Sequence, residues 1–334
     1  MAVNPGDSIT AAQYNGLQSR ITQVLGNGSG NFGYGQSVTS SQITAPSSPG
    51  AGDGDTVTAT QLDNIRSDMS KAWVHQTGSN IPIKNIAVGD VIGADVTGTN
   101  ITYEVGTENY TVAGVNTTGG LNDYLAKMDE LETDRFDIDP AQDTIADLIT
   151  DTRTSTWNGT INCTFQATFT SADARRHFFN SGGEIRFSSA GSNGSGTKSS
   201  DWSTIISNPG QIQFGYGYTT ITGSSSGVTL GSIGNYELTT SYQQIFEKQG
   251  SAAVYAENRY RISARATNST TIQFLIEFED NDAGDQQAVP PAPYGPAQDE
   301  DVNLDITVTL ATRRASGSNV SVSNPAFTVT ESLE

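Results

Sequence analysis

Two similar stretches decide the first part of the fold: GDSITAAQYNGLQSRITQVLG at residues 6–26 and GDTVTATQLDNIRSDMSKAWVHQTG at residues 54–78. In each copy a Thr stands three residues before a Gln, which is the spacing of a helix capping box. Behind each cap the apolar residues recur at steps of three and four, as on one face of an amphipathic helix. The repeat therefore predicts an α-helical N-terminal region with two duplicated amphipathic helices.

A shorter third copy, GQSVTSSQIT at residues 35–44, carries the same cap spacing between Thr39 and Gln42. Pro46 and Pro49 follow it, and proline cannot continue a helix. The sequence thus predicts a duplicated unit of which one copy has lost its helix. The Gly-, Ser- and Pro-rich stretches between the copies are interpreted as tethers.

A further helix is predicted within GLNDYLAKMDELETDRF at residues 120–136, where the apolar side chains again share one face. Short β-like runs separated by Gly and Asn turns precede it. We therefore expect three segments along the chain. They are a helix-repeat anchor at 1–80, a spacer with short strands and one amphipathic helix at 81–153, and a C-terminal β-sandwich at 154–334.

Apolar and polar residues alternate with a period of two in much of the chain after Trp157. In VNLDITVTL, at 302–310, every second residue is Val, Leu or Ile. The fold class expected is mainly β, with the helical N-terminal region followed by an antiparallel, jelly-roll-like β-sandwich. Short helices are predicted after Ser171 and near Asp201. The predicted strands are residues 161–169, 184–188, 211–221, 236–246, 259–266, 271–279, 302–310 and 326–330.

The composition argues against some partners. Among 334 residues there are 17 Lys and Arg and 36 Asp and Glu, which gives a net charge of −19. Such a charge repels phosphates and anionic membranes, so no nucleic-acid partner is expected. No apolar run approaches the roughly 20 residues of a membrane helix, so no membrane insertion is expected. The residues after Met1 do not resemble a signal peptide, which predicts a soluble chain made in a cytoplasm.

Few side chains are typical of catalysis. The single cysteine, Cys163, lies in an alternating strand-like run and is interpreted as a buried, inert thiol. The two histidines, His75 and His177, lie in no triad or metal motif. No catalytic residue and no cofactor is therefore predicted, and a non-enzymatic protein is expected. Because 36 acidic residues make chance carboxylate pairs inevitable, a polysaccharide depolymerase remains an alternative.

The densest acidic segment, EFEDNDAGDQQ at 277–287, offers the oxygen ligands that calcium prefers. Its candidate ligands are Glu279, Asp280, Asp282 and Asp285. Their spacing is not that of an EF-hand, so the favoured interpretation is a solvated hairpin tip and calcium binding is the alternative.

An aromatic stretch, QFGYGYTTI at 213–221, would place Phe214, Tyr216 and Tyr218 on one face of a strand. Such a face is suited to stacking on sugars or packing against a partner chain, although one side of the sandwich core is the favoured interpretation. Tyr216 and Tyr218 are the candidate glycan contacts.

The repeat stretches, the helix GLNDYLAKMDELETDRF and above all TSTWNGTINCTFQATFTSADARRHFFNSGGEIRFSS at 154–189 resemble a family of virion structural proteins. The family occurs in tailed phages of marine and freshwater bacteria, cyanophages included, and its members are described as tail-fibre or virion-appendage proteins. The resemblance implies an assembly protein of the virion, made in the host cytoplasm. It supplies no catalytic residues.

Short amphipathic helices cannot bury their apolar faces alone, so we expect them to pack on other copies or on neighbouring virion proteins. A homo-oligomer, specifically a trimer, is predicted. The expected function is a fibre or appendage subunit of tail, baseplate or neck. The alternatives are a host-glycan-binding adhesin, a capsid decoration protein and the depolymerase. The predicted interface residues are Tyr14, Leu17, Ile21, Leu62, Ile65, Met69, Leu125 and Met128.

Overall fold

A computed structural model describes residues 9–48, 54–83, 101–105, 108–112, 121–251, 255–282, 285–286 and 297–333. The strands within 101–112, 285–286 and 297–298 are described by their backbone only. The chain forms two compact units. The helical unit comprises residues 1–143, 176–181 and 315–322, and the β unit comprises 144–175, 182–314 and 323–334. Among the described helices, none is both long and apolar enough to span a membrane.

The helical unit is built on α1 (Ala11–Leu25), α2 (Ala59–Thr77) and α3 (Leu121–Thr133), with a hairpin of β1 (Ile101–Val105) and β2 (Glu108–Val112). Both predicted capping boxes are present. The Gln13 amide N–H donates to the Thr10 hydroxyl over 3.2 Å, and the Gln13 side chain accepts from the Thr10 N–H over 2.8 Å. Thr58 and Gln61 form the same pair of bonds at the start of α2. In each helix the capping box thereby satisfies two backbone N–H groups locally, that of the Thr and that of the Gln.

The apolar faces of the three helices share one core within a single chain. Seven of the eight predicted interface side chains are buried in it, and Leu125 is partly buried. On the outside, the Arg20 guanidinium ties α1 to α3 through an ion pair with Glu132 at 2.7 Å. The expectation that these faces need another chain is therefore corrected, because each helix covers the others. Self-association remains a prediction, but these side chains are not available as its interface.

The truncated third copy, residues 35–44, forms no helix. The backbone N–H groups of Thr39 and Ser40 donate to the buried carboxylate of Asp68 over 2.9 and 2.7 Å, so α2 supplies the acceptor. Burial raises the pKa of Asp68, but these hydrogen bonds and that from Lys71 lower it more, and the net shift is downward. The carboxylate of Asp68, supplied by α2, thus accepts these hydrogen bonds in place of the local side-chain cap that the sequence predicts.

The β unit contains two larger antiparallel sheets and α5, whereas α4 is divided, with residues 172–175 in this unit and residues 176–180 in the helical unit. The six-stranded sheet has the order β15-β4-β11-β10-β9-β8 and the five-stranded sheet has the order β3-β14-β5-β6-β7. The described elements are β3 (Asp143–Arg153), β4 (Thr160–Thr168), α4 (Ala172–Asn180), β5 (Glu184–Ser192), α5 (Gly196–Ser207), β6 (Ile212–Phe214), β7 (Thr219–Ile221), β8 (Val228–Leu230), β9 (Gln243–Gln249), β10 (Arg259–Asn268), β11 (Thr271–Glu279), β12 (Asp285–Gln286), β13 (Ala297–Gln298), β14 (Asp305–Ala315) and β15 (Ala326–Glu331), with 3₁₀ turns at Pro140–Gln142 and Asn235–Glu237.

The two large sheets pack face to face through aromatic side chains. The ring of Phe274 on β11 contacts Phe187 on β5 and Phe214 on β6, with centroids 4.9 and 5.3 Å apart. Val302, Leu304, Ile306, Val308 and Leu310 are all buried, as the alternation at 302–310 predicts. A sandwich-like, β-rich unit is the result.

Most of the predicted strands are present, with two clear errors. The run at 271–279 matches β11 residue for residue. The prediction of one strand at 211–221 is wrong, because β6 ends at Phe214 and a turn leads into β7. At 236–246 only the last residues belong to a strand, since β9 begins at Gln243. The edge strands β3 and β8 were not predicted, because neither has a clean alternation of apolar and polar residues.

Candidate functional site

The most unusual group of side chains in the β unit surrounds Lys198. Its ammonium Nζ lies 2.7 Å from Asp280 Oδ2, 3.0 Å from Asp282 Oδ2 and 2.9 Å from Asp299 Oδ1. It also donates to the Glu300 carbonyl over 2.5 Å. We call Lys198, Asp280, Asp282 and Asp299 the lysine cluster. Lys198 is 1% exposed, Asp280 6% and Asp282 9%, so three of its four members are buried.

Three parts of the fold hold the lysine cluster together. Lys198 lies in the first turn of α5, and the next residue, Ser199, accepts from the Asn303 N–H over 3.1 Å. Asp280 follows β11 directly, where its N–H donates to the Gly159 carbonyl over 2.9 Å. The Asn258 side chain accepts from the N–H of Asp282 over 3.2 Å. The carboxylates are therefore positioned by backbone contacts as well as by the lysine.

The charges of the lysine cluster do not balance, since three carboxyl groups surround one ammonium. Burial raises the pKa of Asp280 to about 7, the neighbouring Asp282 adds to the rise, and Lys198 opposes it. Burial lowers the pKa of Lys198, but its hydrogen bonds to the carboxylates raise it more, so the ammonium is favoured. Apart from Lys198, no N–H or hydroxyl of the described residues donates to Asp280. The Asp280 carboxyl group is therefore partly protonated near neutral pH.

The calcium prediction is only partly matched by this geometry. Of the predicted ligands, Asp280 and Asp282 do lie together, and Asp299 joins them. Glu279 instead forms an ion pair with Arg261, and the Asp285 side chain lies outside the described residues. The Lys198 ammonium occupies the position between the three carboxylates that a metal ion would need. The interpretation as a solvated hairpin tip is wrong for Asp280 and Asp282, because both are buried.

The sequence signal for the lysine cluster was weak. Asp299 stands out only as part of an acidic stretch after a Pro-rich loop, and Lys198 is a single cation in SGTKSSDW. Nothing in the spacing of Lys198 and Asp280 along the chain indicates that they meet.

The predicted glycan contacts are separated by the turn between β6 and β7. The Gly215 N–H donates to the Tyr218 carbonyl over 3.0 Å, so residues 214–218 do not present one strand face. The Tyr218 hydroxyl donates to Glu184 Oε1 over 3.1 Å, and burial raises the pKa of this phenol. The half-buried ring of Tyr216 instead lies against Tyr236, with centroids 4.3 Å apart. Tyr236 is 38% exposed, so Tyr216 and Tyr236 form an accessible aromatic pair.

The cysteine and the histidines lie in structural positions. Cys163 is buried, and burial raises the pKa of its thiol, as expected for an inert cysteine. The His75 ring is buried, with Nε2 3.0 Å from the Ser181 carbonyl oxygen and an edge contact to Tyr34. His177 Nε2 lies 3.3 Å from the carbonyl oxygen of Asn27.

An open cleft of about 540 Å³ lies on the helical unit beside α1. Its walls carry only uncharged side chains, among them Gln18, Gln23, Asn27, Gln36 and Gln42. These amides offer hydrogen bonds to a polar ligand but no acid, base or nucleophile.

No protein-family model, curated protein or solved structure matches this chain. The functional assignment therefore depends on the geometry of the two units and on the family resemblance of the sequence.

Proposed function

We propose that this chain is a structural subunit of a tailed-phage virion, a fibre or appendage protein of the tail, baseplate or neck. The observation that carries the proposal is β3, which is an edge strand of eleven residues in the five-stranded sheet. Ile145 and Leu148 on it are 56% and 37% exposed. A long edge with exposed apolar side chains is a template for pairing with another chain, and soluble proteins usually protect such edges. In a virion, a neighbouring protein would cover the edge of β3.

The chemistry of the described side chains supports a non-enzymatic function. Cys163 and His75 are buried in cores, and Lys198 is held by internal ion pairs. Each of these groups takes part in packing or internal hydrogen bonding. The jelly-roll-like topology, the origin of α1 and α2 by duplication and the trimeric state remain predictions.

The direct test is the location of the protein in phage particles. Antibodies against the purified chain should label one structure of intact particles in electron micrographs, and a cryo-electron microscopy map should show its neighbours. Absence of the protein from purified particles would contradict the proposal. So would cleavage of a polysaccharide by the purified chain, with activity lost on substitution of a carboxylate.

The edge strand leads to a prediction about self-association. The wild-type chain should scatter light as an oligomer larger than its 35.2 kDa monomer. The double variant Ile145→Lys, Leu148→Lys should shift it towards the monomer, because charged edge side chains oppose strand pairing. Leu230→Lys is the matched control, since Leu230 is 38% exposed on the short edge strand β8. If the wild type is an oligomer and the double variant remains the same oligomer, β3 is not its interface.

A second proposed function, host-glycan binding, is favoured by the Tyr216–Tyr236 pair. Exposed aromatic rings present apolar faces on which sugar rings stack. If glycan arrays detect binding, Tyr216→Ala and Tyr236→Ala should each reduce it by about tenfold or more, equivalent to about 1.4 kcal/mol. Tyr242→Ala is the control, because Tyr242 is also half-buried but packs against Arg265. Equal losses in all three variants, or no binding by the wild type, would contradict the adhesin.

A further inference from the structure

We propose that Lys198 and Asp280 react within the folded chain to form an isopeptide bond, an amide between the lysine Nζ and the aspartate Cγ. The product would link the first turn of α5 covalently to the end of β11. This inference depends on the lysine cluster alone and is independent of the proposed virion function.

The two reacting groups are in direct contact. Nζ lies 2.7 Å from Asp280 Oδ2, while the side chains are 2% and 0% exposed. A nucleophile and an acyl carbon held together by the fold react as an intramolecular pair, which removes the entropic cost of an encounter. Burial also excludes bulk water, so an amide that forms there is protected from hydrolysis.

Asp280 differs from the other two carboxyl groups in its hydrogen-bond partners. Asp299 is 36% exposed in its side chain and accepts from Asn158 over 2.8 Å. Asp282 lies within 3.4 Å of the Asn258 amide donor. Asp280 lacks a comparable donor among the described residues. The raised pKa of Asp280, about 7, agrees with a neutral acid, which is the electrophilic form.

The proton balance of the reaction closes within the lysine cluster. The Lys198 ammonium gives one proton to the Asp299 carboxylate, and the neutral amine then attacks Cγ of the protonated Asp280. The C–N bond forms, the C–O bond to the hydroxyl breaks, and the second amine proton leaves with that hydroxyl as water. Asp282, next to both groups, is placed to carry this proton. The products are the amide, one water molecule and protonated Asp299, and nothing is oxidised or reduced.

The test is the intact mass of the full-length chain after incubation in its folded state at pH 6 to 7. We expect a mass lower by one water molecule than that of the sequence, and a protease digest containing a branched peptide that joins Lys198 to Asp280. Lys198→Arg should show neither. Asp280→Asn should lose ammonia in place of water, because the side-chain amide then supplies the leaving group.

Some outcomes would overturn the proposal. One is an unchanged mass after prolonged incubation of wild-type protein that circular dichroism shows to be folded. Another is a water loss that maps to an unbranched peptide, which would indicate that an aspartate has cyclised within that peptide. A water loss that persists in Lys198→Arg would exclude Lys198 as the amine. Since the decisive measurement uses the wild type, unfolding of a variant cannot obscure it.

Discussion

Relative to wild-type chain in which the amide has not formed, replacing Lys198 with Met should lower the free energy of unfolding of the β unit by about 3–5 kcal/mol at pH 8, because it leaves buried carboxylates without their cation. Asp280 and Asp282 are both nearly inaccessible to water, and Lys198 is the cation within 3.0 Å of each. Methionine fills much of the lysine volume, so the loss reports charge more than packing. Hydrogen exchange of peptides from the β unit, or denaturant unfolding followed by near-UV circular dichroism, measures it.

The same variant should regain stability as the pH is lowered from 8 to 5. The pKa of Asp280 is already raised to about 7 in the presence of Lys198, and removal of the opposing charge raises it further. An unfolded aspartate titrates at about 3.9. At pH values between the unfolded and the folded pKa of Asp280, the folded state binds more protons than the unfolded state. The free energy of unfolding therefore falls as the pH rises through this range and recovers as the pH is lowered.

Lys198→Arg is the matched control for this prediction. It keeps a cation but cannot form the proposed amide with the lysine amine, so it separates charge compensation from cross-linking. We expect its stability to depend less on pH over this range than that of Lys198→Met. Equal pH profiles for the Met and Arg variants would contradict the idea that an uncompensated charge dominates the loss.

Replacing Trp202 with Ala should lower the free energy of unfolding of the β unit by about 3–5 kcal/mol, as expected for truncation of a fully buried aromatic residue. Trp202 on α5 is 0% exposed. Its ring contacts the edge of Trp157 with centroids 4.9 Å apart, and Phe278 on β11 at 6.3 Å. The truncation would leave a cavity between α5 and the six-stranded sheet. Thermal or denaturant unfolding of the full chain measures the loss.

Trp202→Phe provides the control for the cavity. The indole Nε1 of Trp202 is buried without a hydrogen-bond partner in the described part of the chain. Phenylalanine removes this unsatisfied donor and keeps an aromatic ring against Trp157, so its cost should be much smaller than that of alanine. If the two variants lower the free energy of unfolding equally, the packing of the aromatic ring is not the source of the stability that Trp202 contributes.

Local patterns in the sequence determined the helices and the interior strands. Each cap depends on a Thr and a Gln three residues apart, and those contacts form within one turn wherever the helix lies. Buried strands such as β11 and β14 alternate because one side of the pleat faces the core. These features need no knowledge of distant residues. The prediction of α1, α2, α3 and of most of the sandwich strands follows from them.

Tertiary structure alone decided which surfaces are covered and which charges meet. The apolar faces of α1 to α3 resembled interfaces between chains, yet they cover one another, because burial depends on which elements pack together. QFGYGYTTI alternates like a strand, but Gly215 lets the chain turn so tightly that a Cβ there would lie 2.5 Å from the Tyr218 ring. Lys198 and Asp280 are far apart in the sequence, and no local pattern encodes their contact. It arises because α5 and the end of β11 meet in the folded β unit. Water has little access there, so a buried charge without a partner would be costly and the ion pair is retained.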